Sequence, residues 1–203
     1  MQGQLWIVAA PSGGGKTSLI AEAVRVLDDV VESVSHTTRA ARPGEIEGVH
    51  YFFVAPSEFQ AMIDADGFLE YAQVFHNAYG TAAASVDALL AAGKDVILSI
   101  DWQGSQQVMR RRSETRTVFL LPPSLDVLRE RLTTRGQDNA AVVAQRMAEA
   151  EEQISHYREF EFVIVNADFQ RAASELQALI TSDRLRRARR EADLQPLLKR
   201  LGQ

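Results

Sequence analysis

Leu5-Trp6-Ile7-Val8-Ala9-Ala10-Pro11-Ser12-Gly13-Gly14-Gly15-Lys16-Thr17 is an apolar run that breaks into a glycine turn and ends on a lysine and a hydroxyl. Residues 5–10 have the length and composition of a buried strand. Beyond Thr17, apolar side chains recur at Leu19, Ile20, Ala23, Val24 and Leu27, the spacing of one helix face. Strand, glycine loop and helix in this order are the setting of the phosphate-loop pattern G-x-x-x-x-G-K-[ST]. Ala10 stands where that pattern has its first glycine, and the rest is intact. Successive glycines let backbone N–H groups turn inward around phosphate oxygens. The helix N-terminus adds unpaired N–H groups and a positive dipole end. Lys16 is a compact cation for the terminal phosphates of ATP, and the Thr17 hydroxyl suits a magnesium ion. A flexible glycine turn capped by Thr17 is the plainer reading; the flanking strand and amphipathic helix favour phosphate binding.

Working outward, apolar runs at 95–100, 117–121 and 162–165 read as further buried strands. Helical segments are expected at 85–92, 103–112, 125–132, 142–157 and from 169 onward. Strands alternating with helices predict an α/β fold with a parallel central sheet between helix layers. Residues 34–84 differ in character. Pro43-Gly44 and Glu47-Gly48 mark turns, 49–54 reads as a strand, and Ser57 reads as the cap of a helix reaching about Asp66. Residues 68–75 and those around Tyr79-Gly80 read as extended or looped. This stretch is expected to form a small mixed lobe inserted in the core.

The chain has 203 residues, a formal net charge of -5 and no cysteine. Neither disulfides nor thiolate metal sites are available. An acidic balance argues against bulk nucleic-acid binding. The run of Arg184, Arg186, Arg187, Arg189 and Arg190 lacks aromatic partners and is expected to be a solvated helix face. The start shows no basic segment or small-residue cleavage site, and no apolar run has membrane-spanning length. A cytoplasmic protein is the expectation; oligomeric state is left open.

Beyond the loop, ordered strings recur along almost the whole chain: Ser33 to Arg39, Arg42-Pro43-Gly44-Glu45, Gly48 to Phe53, Phe68-Leu69-Glu70, Tyr79-Gly80-Thr81, Ile100 to Gly104, Leu120 to Ser124, Arg131 to Gly136 and Ile164-Val165-Asn166. Together they resemble guanylate kinase, a family of phosphate-loop nucleoside-monophosphate kinases. The resemblance implies a three-layer P-loop NTPase fold with core 1–33, 85–127 and 158–203, a GMP-binding lobe at 34–84 and a mobile lid at 128–157. It implies ATP-dependent phosphorylation of GMP to GDP, with magnesium accompanying ATP.

The resemblance assigns roles residue by residue. Ala10, Pro11, Ser12, Gly13, Gly14, Gly15, Lys16, Thr17 and Ser18 would bind ATP, with Asn166 near its base and Thr17 on the metal. Ser35, Arg39, Arg42, Tyr51 and Tyr79 would hold the GMP phosphate, the arginines through fork-shaped donors. Read alone, Arg39 and Arg42 would be solvated loop arginines. Glu70 and Thr81 would read guanine, whose ring N–H and amino group one carboxylate can accept together. Asp101, at the C-terminal end of a strand, would join the GMP site and also suits a helix N-cap. Lys16, Arg131, Arg135 and Arg146 would stabilise the charge of phosphoryl transfer, the arginines arriving from the lid. Ser99 departs from the family, in which many members carry Asp-Ile-Asp where this chain has Ser99-Ile100-Asp101. A kinase acting on a ribose phosphate and a non-catalytic protein-interaction module are the competing readings.

Overall fold

The computed structural model describes residues 2–74, 76–134 and 140–202. In chain order the elements are β1 (Leu5–Ala9), α1 (Lys16–Val26), β2 (Val30–Glu32), β3 (His36–Thr37), β4 (Phe52–Phe53), α2 (Pro56–Asp64), β5 (Phe68–Val74), β6 (Asn77–Ala82), α3 (Ala83–Ala91), β7 (Asp95–Ser99), α4 (Trp102–Arg111), β8 (Arg116–Leu121), α5 (Leu125–Thr134), α6 (Ala140–Ser155), a 3-10 turn (His156–Glu159), β9 (Phe162–Val165), α7 (Phe169–Asp183) and α8 (Arg187–Arg200).

β1 is the central strand of a five-stranded parallel sheet in the order β2-β7-β1-β8-β9. All of its residues are buried, because helices cover both faces. Alternation divides the side chains. Trp6, Val8, Ile97, Val118 and Leu120 pack with Leu19, Ile20 and Ala23 of α1 and with Ala172, Leu176 and Ile180 of α7. Leu5, Ile7, Val96, Leu98 and Phe119 pack with Val86 of α3 and Val108 of α4. The expected three-layer α/β architecture is therefore the observed one. All five strands point the same way, so the loops after β1 and β7 open at one edge.

A second, mixed sheet in the order β4-β3-β6-β5 lies between α1 and α3 in sequence. Phe59 of α2 stacks on Phe68 of β5 at 4.5 Å between ring centroids, and with Ala82 they form its core. Helix α4 ties this sheet to the parallel one. The Gln107 amide donates to the Tyr71 carbonyl at 3.0 Å and accepts from its N–H at 3.2 Å. Arg111 pairs with Asp66 at 2.7 Å.

Several elements differ from the sequence reading. β2 escaped it, being three residues long and preceded by Asp29 with a φ of 62°; no periodicity can be read from so short a run. The strand expected over 49–54 contracts to Phe52–Phe53. Gly48 N–H donates to Tyr51 O at 2.9 Å and His50 N–H to Ile46 O at 3.0 Å, so a local turn takes the backbone groups a strand would have used. Residues 68–74 and 77–82, expected extended or looped, pair as an antiparallel hairpin. Ser57, expected to cap a helix reaching about Asp66, lies inside it instead: α2 runs Pro56–Asp64 with Ala55 at its N-cap, and the missing N–H of Pro56 costs nothing in a first turn.

The arginine run is a correction. It does not form one solvated face, because α7 ends at Asp183 and α8 starts at Arg187. Arg184 and Arg189 reach back beneath the parallel sheet to Asp95 at 2.7 and 2.6 Å, and Arg189 also reaches Asp183 at 2.8 Å. Arg116 closes the group on Asp183 at 3.1 Å. Asp95 is only 1% exposed, so truncating it leaves buried guanidinium charge uncompensated. Asp95→Ala should cost about 3–5 kcal/mol of stability. Thermal unfolding should show a midpoint lower by about 10 °C, with kcat at 25 °C near normal, since this cluster lies at the opposite sheet edge from the loop after β1.

Candidate active site

The loop between β1 and α1 is built around Gly15, the N-cap of α1, at a φ of 90°. That is left-handed backbone, which an L side chain adopts at a cost. A Cβ there would also collide with the amide of Asn166. Asn166 is buried, and its side-chain N–H donates to Gly14 O at 2.9 Å. Among the described residues only Asp29 and Asp66 are non-glycines with positive φ, so Ala10 occupies its place without strain. Its Cβ packs so closely that a Cβ on Gly14 would meet it at 2.9 Å. Gly15→Ala should therefore cost about 1–3 kcal/mol of stability, read by thermal unfolding.

A cleft of about 570 Å³ runs along this loop, lined by Gly13, Gly15, Ser18, Arg131, Asn166 and Phe169 among others. Arg131 donates through Nη2 to Asn166 O at 3.0 Å. Its Nη1 is buried without a hydrogen-bond partner, a donor set at the edge of the cleft. Asn166 thus holds both the glycine loop and Arg131.

Lys16 begins α1, and its Nζ donates to Ile100 O at 2.9 Å, at the end of β7. Burial pulls the ammonium below the ordinary lysine range, and Asp101, Glu32 and Glu70 oppose that in decreasing order. Asp101 caps α4, accepting from Gly104 N–H at 2.8 Å through one carboxylate oxygen. The Thr17 and Ser18 side chains are exposed at the first turn of α1.

The second sheet assembles the other half. Arg39 follows β3 and is gripped by Glu45 through both terminal nitrogens at 2.9 and 2.8 Å. The Arg39 guanidinium holds the Glu45 carboxyl down at about 2. The guanidinium carbon lies 5.4 Å from the Tyr51 ring, and Tyr51 meets Tyr79 at 5.9 Å. The Arg42 N–H bonds Glu45 at 2.7 Å, and its side chain is exposed beside this group. Ser35 is half-buried and fixes β4 by accepting from Phe52 N–H at 2.9 Å. The expected phosphate ligands Arg39, Arg42, Tyr51 and Tyr79 thus come together through Glu45. The sequence reading gave Glu45 no role; the Pro43-Gly44 turn, which folds Glu45 back on Arg42, was the available signal.

Glu70 is 7% exposed. Thr81, beside it across the hairpin, donates its hydroxyl to Glu70 Oε1 at 2.6 Å. Burial pushes this carboxyl above the ordinary range, and nearby Asp101 adds to that, against the Thr81 bond. A Cβ on Gly104 would meet Glu70 Oε2 at 3.0 Å. Gly104, also passed over, is the floor beneath the carboxylate. Arg146 is half-buried on α6, which packs on α5 through Leu128, Leu132, Met147 and Ala150. Arg135 lies outside the described residues.

Two polar surfaces therefore meet at the ends of β1 and β7. One is a glycine cradle with a lysine; the other is a guanidinium–tyrosine group beside a buried carboxylate. The family model described as guanylate kinase matches residues 2–183. A guanylate kinase of Hahella chejuensis is 49% identical over 201 residues, covering 97% of each chain. One of Alkalilimnicola ehrlichii is 51% identical over 201 residues, covering 99% of each. The crystal structure of guanylate kinase from Anaplasma phagocytophilum superimposes with a TM-score of 0.72 at 30% identity, covering 93% of this chain and 89% of that one. A match this long, falling on the residues that build both surfaces, places the chain in the guanylate kinase family.

Proposed function

We propose that the two surfaces divide one reaction between them, the glycine cradle taking the donor and the second sheet the acceptor. The chain is an ATP-dependent guanylate kinase, converting ATP and GMP to ADP and GDP. The observation that carries the assignment of the acceptor side is Glu70. A buried carboxylate with a fixed partner is costly unless a ligand uses it, and guanine offers two adjacent N–H donors to such a group. Adenine has an acceptor where guanine has its ring N–H, so it would leave Glu70 unpaired. Thr81 has one hydroxyl proton, already given to Glu70, so its work is to aim the carboxylate. Donation to the guanine oxygen would require that bond to open.

On the donor side, Gly13, Gly14, Gly15 and the first turn of α1 present backbone N–H groups to the phosphates of ATP. Pro11, Ser12 and Ala10 shape the turn, and Ser18 borders it. Asn166 holds the loop, with Phe169 and Ala167 beside the space for the base. Arg39, Arg42, Tyr51, Tyr79 and Ser35 hold the GMP phosphate, which attacks the γ-phosphorus in line. No general base is required, because the attacking oxygen is already anionic. Lys16 and Arg131 stabilise the charge spreading over the transferred group, and Arg146 and Arg135 join them as α5 and α6 close. Residues 34–84 act as the GMP lobe, 128–157 as the lid, and the remainder as the core.

The oxygen donors of Thr17 and Asp101 fit a hard cation. Thr17 would hold magnesium, which supplies charge neutralisation to the donor phosphates. No helix of the described residues is long and apolar enough to cross a membrane. A coupled ADP-release assay with GMP, AMP and ribose 5-phosphate in parallel tests the acceptor. Turnover should be confined to GMP; comparable turnover of AMP or the ribose phosphate would overturn the role given to Glu70.

A further inference from the structure

Glu32 is an acidic residue at the catalytic edge of the sheet that the reading above leaves without work. β2 runs parallel to β7 with Glu32 opposite Ile97, and Ser33 N–H donates to Ile97 O at 2.9 Å. Val30 packs with Ile97 and Val8 in the core beneath α1. Glu32 lies two residues beyond Val30, so its side chain leaves the sheet on that same face. Ser99, two residues beyond Ile97 and opposite Val8, does likewise. Both therefore rise on the α1 side at the end of the strands, where α1 begins at Lys16 and Thr17. Ser99 and the Lys16 ammonium both favour the charged form of the Glu32 carboxyl, against the desolvation that raises it.

Among the described residues no three acidic or imidazole side chains stand close enough to hold a bare metal ion. An ion at this edge therefore arrives with the nucleotide and keeps water in its shell, as magnesium does. A carboxylate one shell out can accept from that water. We propose that Glu32, aimed by Ser99, is the outer-shell carboxylate for the magnesium ion of MgATP. The reading rests on the proposal that magnesium accompanies ATP. It also explains Ser99: the acid that an aspartate at 99 would provide stands instead on the neighbouring strand, on the same face. Glu32 is exposed at the end of β2; partial desolvation of its carboxyl still raises it above its ordinary range, and an arriving dication would relieve that.

The test is calorimetric binding of a non-hydrolysable ATP analogue at a series of magnesium concentrations. Wild type, Glu32→Gln, Ser99→Asp and the double variant are compared, with circular dichroism to verify folding. Glu32→Gln should raise the magnesium concentration for half-maximal binding about tenfold or more, leaving metal-free binding as strong or stronger. Adding Ser99→Asp to Glu32→Gln should restore the magnesium response, because it returns a carboxylate to that face; a merely structural role would not be rescued this way. If wild type depends on magnesium and Glu32→Gln responds identically, this proposal fails while the metal reading stands. Equal weakening with and without magnesium, or a double variant that is not rescued, also overturns it. Wild-type binding indifferent to magnesium removes the metal reading itself.

Discussion

Lys16→Met is expected to lower kcat by about 10²–10³-fold, the usual effect of removing one preorganised donor from a developing anion. Methionine keeps the unbranched stem, so packing beneath the loop is retained while the charge is lost. The structure gives the reason for so large an effect. The ammonium stands at the meeting point of both surfaces, held on Ile100 O at 2.9 Å. The residue is half-buried, and desolvation already pulls its ammonium below the ordinary range, so its interaction with phosphate is less screened than in bulk water. The loss should appear in kcat more than in KM for GMP, because the acceptor phosphate ligands Arg39, Tyr51 and Tyr79 are on the other sheet. Steady-state kinetics with both substrates varied separates the two. Near-normal kcat in a folded Lys16→Met protein would remove Lys16 from the transition state. Lys16→Arg should not restore the rate, since a planar fork does not fit a space made for a point charge.

Replacing Glu70 is the second large effect, and it acts on selectivity. Truncating one partner of a buried, charged hydrogen-bond pair costs about 2–5 kcal/mol, so Glu70→Ala should lower kcat/KM for GMP by about 30-fold to several thousandfold. ATP analogue binding should be unchanged. Glu70→Gln isolates the charge, since its amide presents N–H groups where guanine also presents them. It should discriminate poorly between GMP and AMP. A variant that used GMP as well as the parent would refute the base-reading role.

The raised carboxyl of Glu70 has a consequence for stability. A carboxyl whose folded pKa lies above its unfolded value binds its proton more tightly in the folded state. Its contribution is fully present below the ordinary value near 4.5 and is lost as pH rises through the raised one. Wild type should therefore lose stability relative to Glu70→Gln between pH 4.5 and pH 7, read as the difference in thermal midpoints. GMP affinity should move the other way, falling as acid protonates Glu70. A side chain that costs stability at neutral pH and gains affinity there is the expected trade at a binding site.

How much of this was legible depends on the length over which each signal runs. The glycine loop lies within one contiguous stretch and needs only local backbone geometry, so its strand, turn and helix could be read directly. β2 and β3, of three and two residues, carry no period of their own. They exist because β7 and β6 offer backbone partners, which no local pattern reports. The same holds for the arginines near the C-terminus. Arg184 and Arg189 look like solvated helix charge until Asp95, 89 and 94 positions away, is brought beneath them.

The site divides along the same line. By itself the sequence determined the fold class, the family and the identity of both substrates, because chains of short motifs and apolar alternation survive as linear patterns. Tertiary structure alone decided which charges meet: Glu45 on Arg39, Thr81 on Glu70, Asn166 across to the glycine loop, Glu32 beside Ser99 and Lys16. Desolvation and pairing depend on distances set by packing between segments far apart in the chain, and these fix how strongly a carboxylate holds its proton and how tightly a guanidinium is gripped.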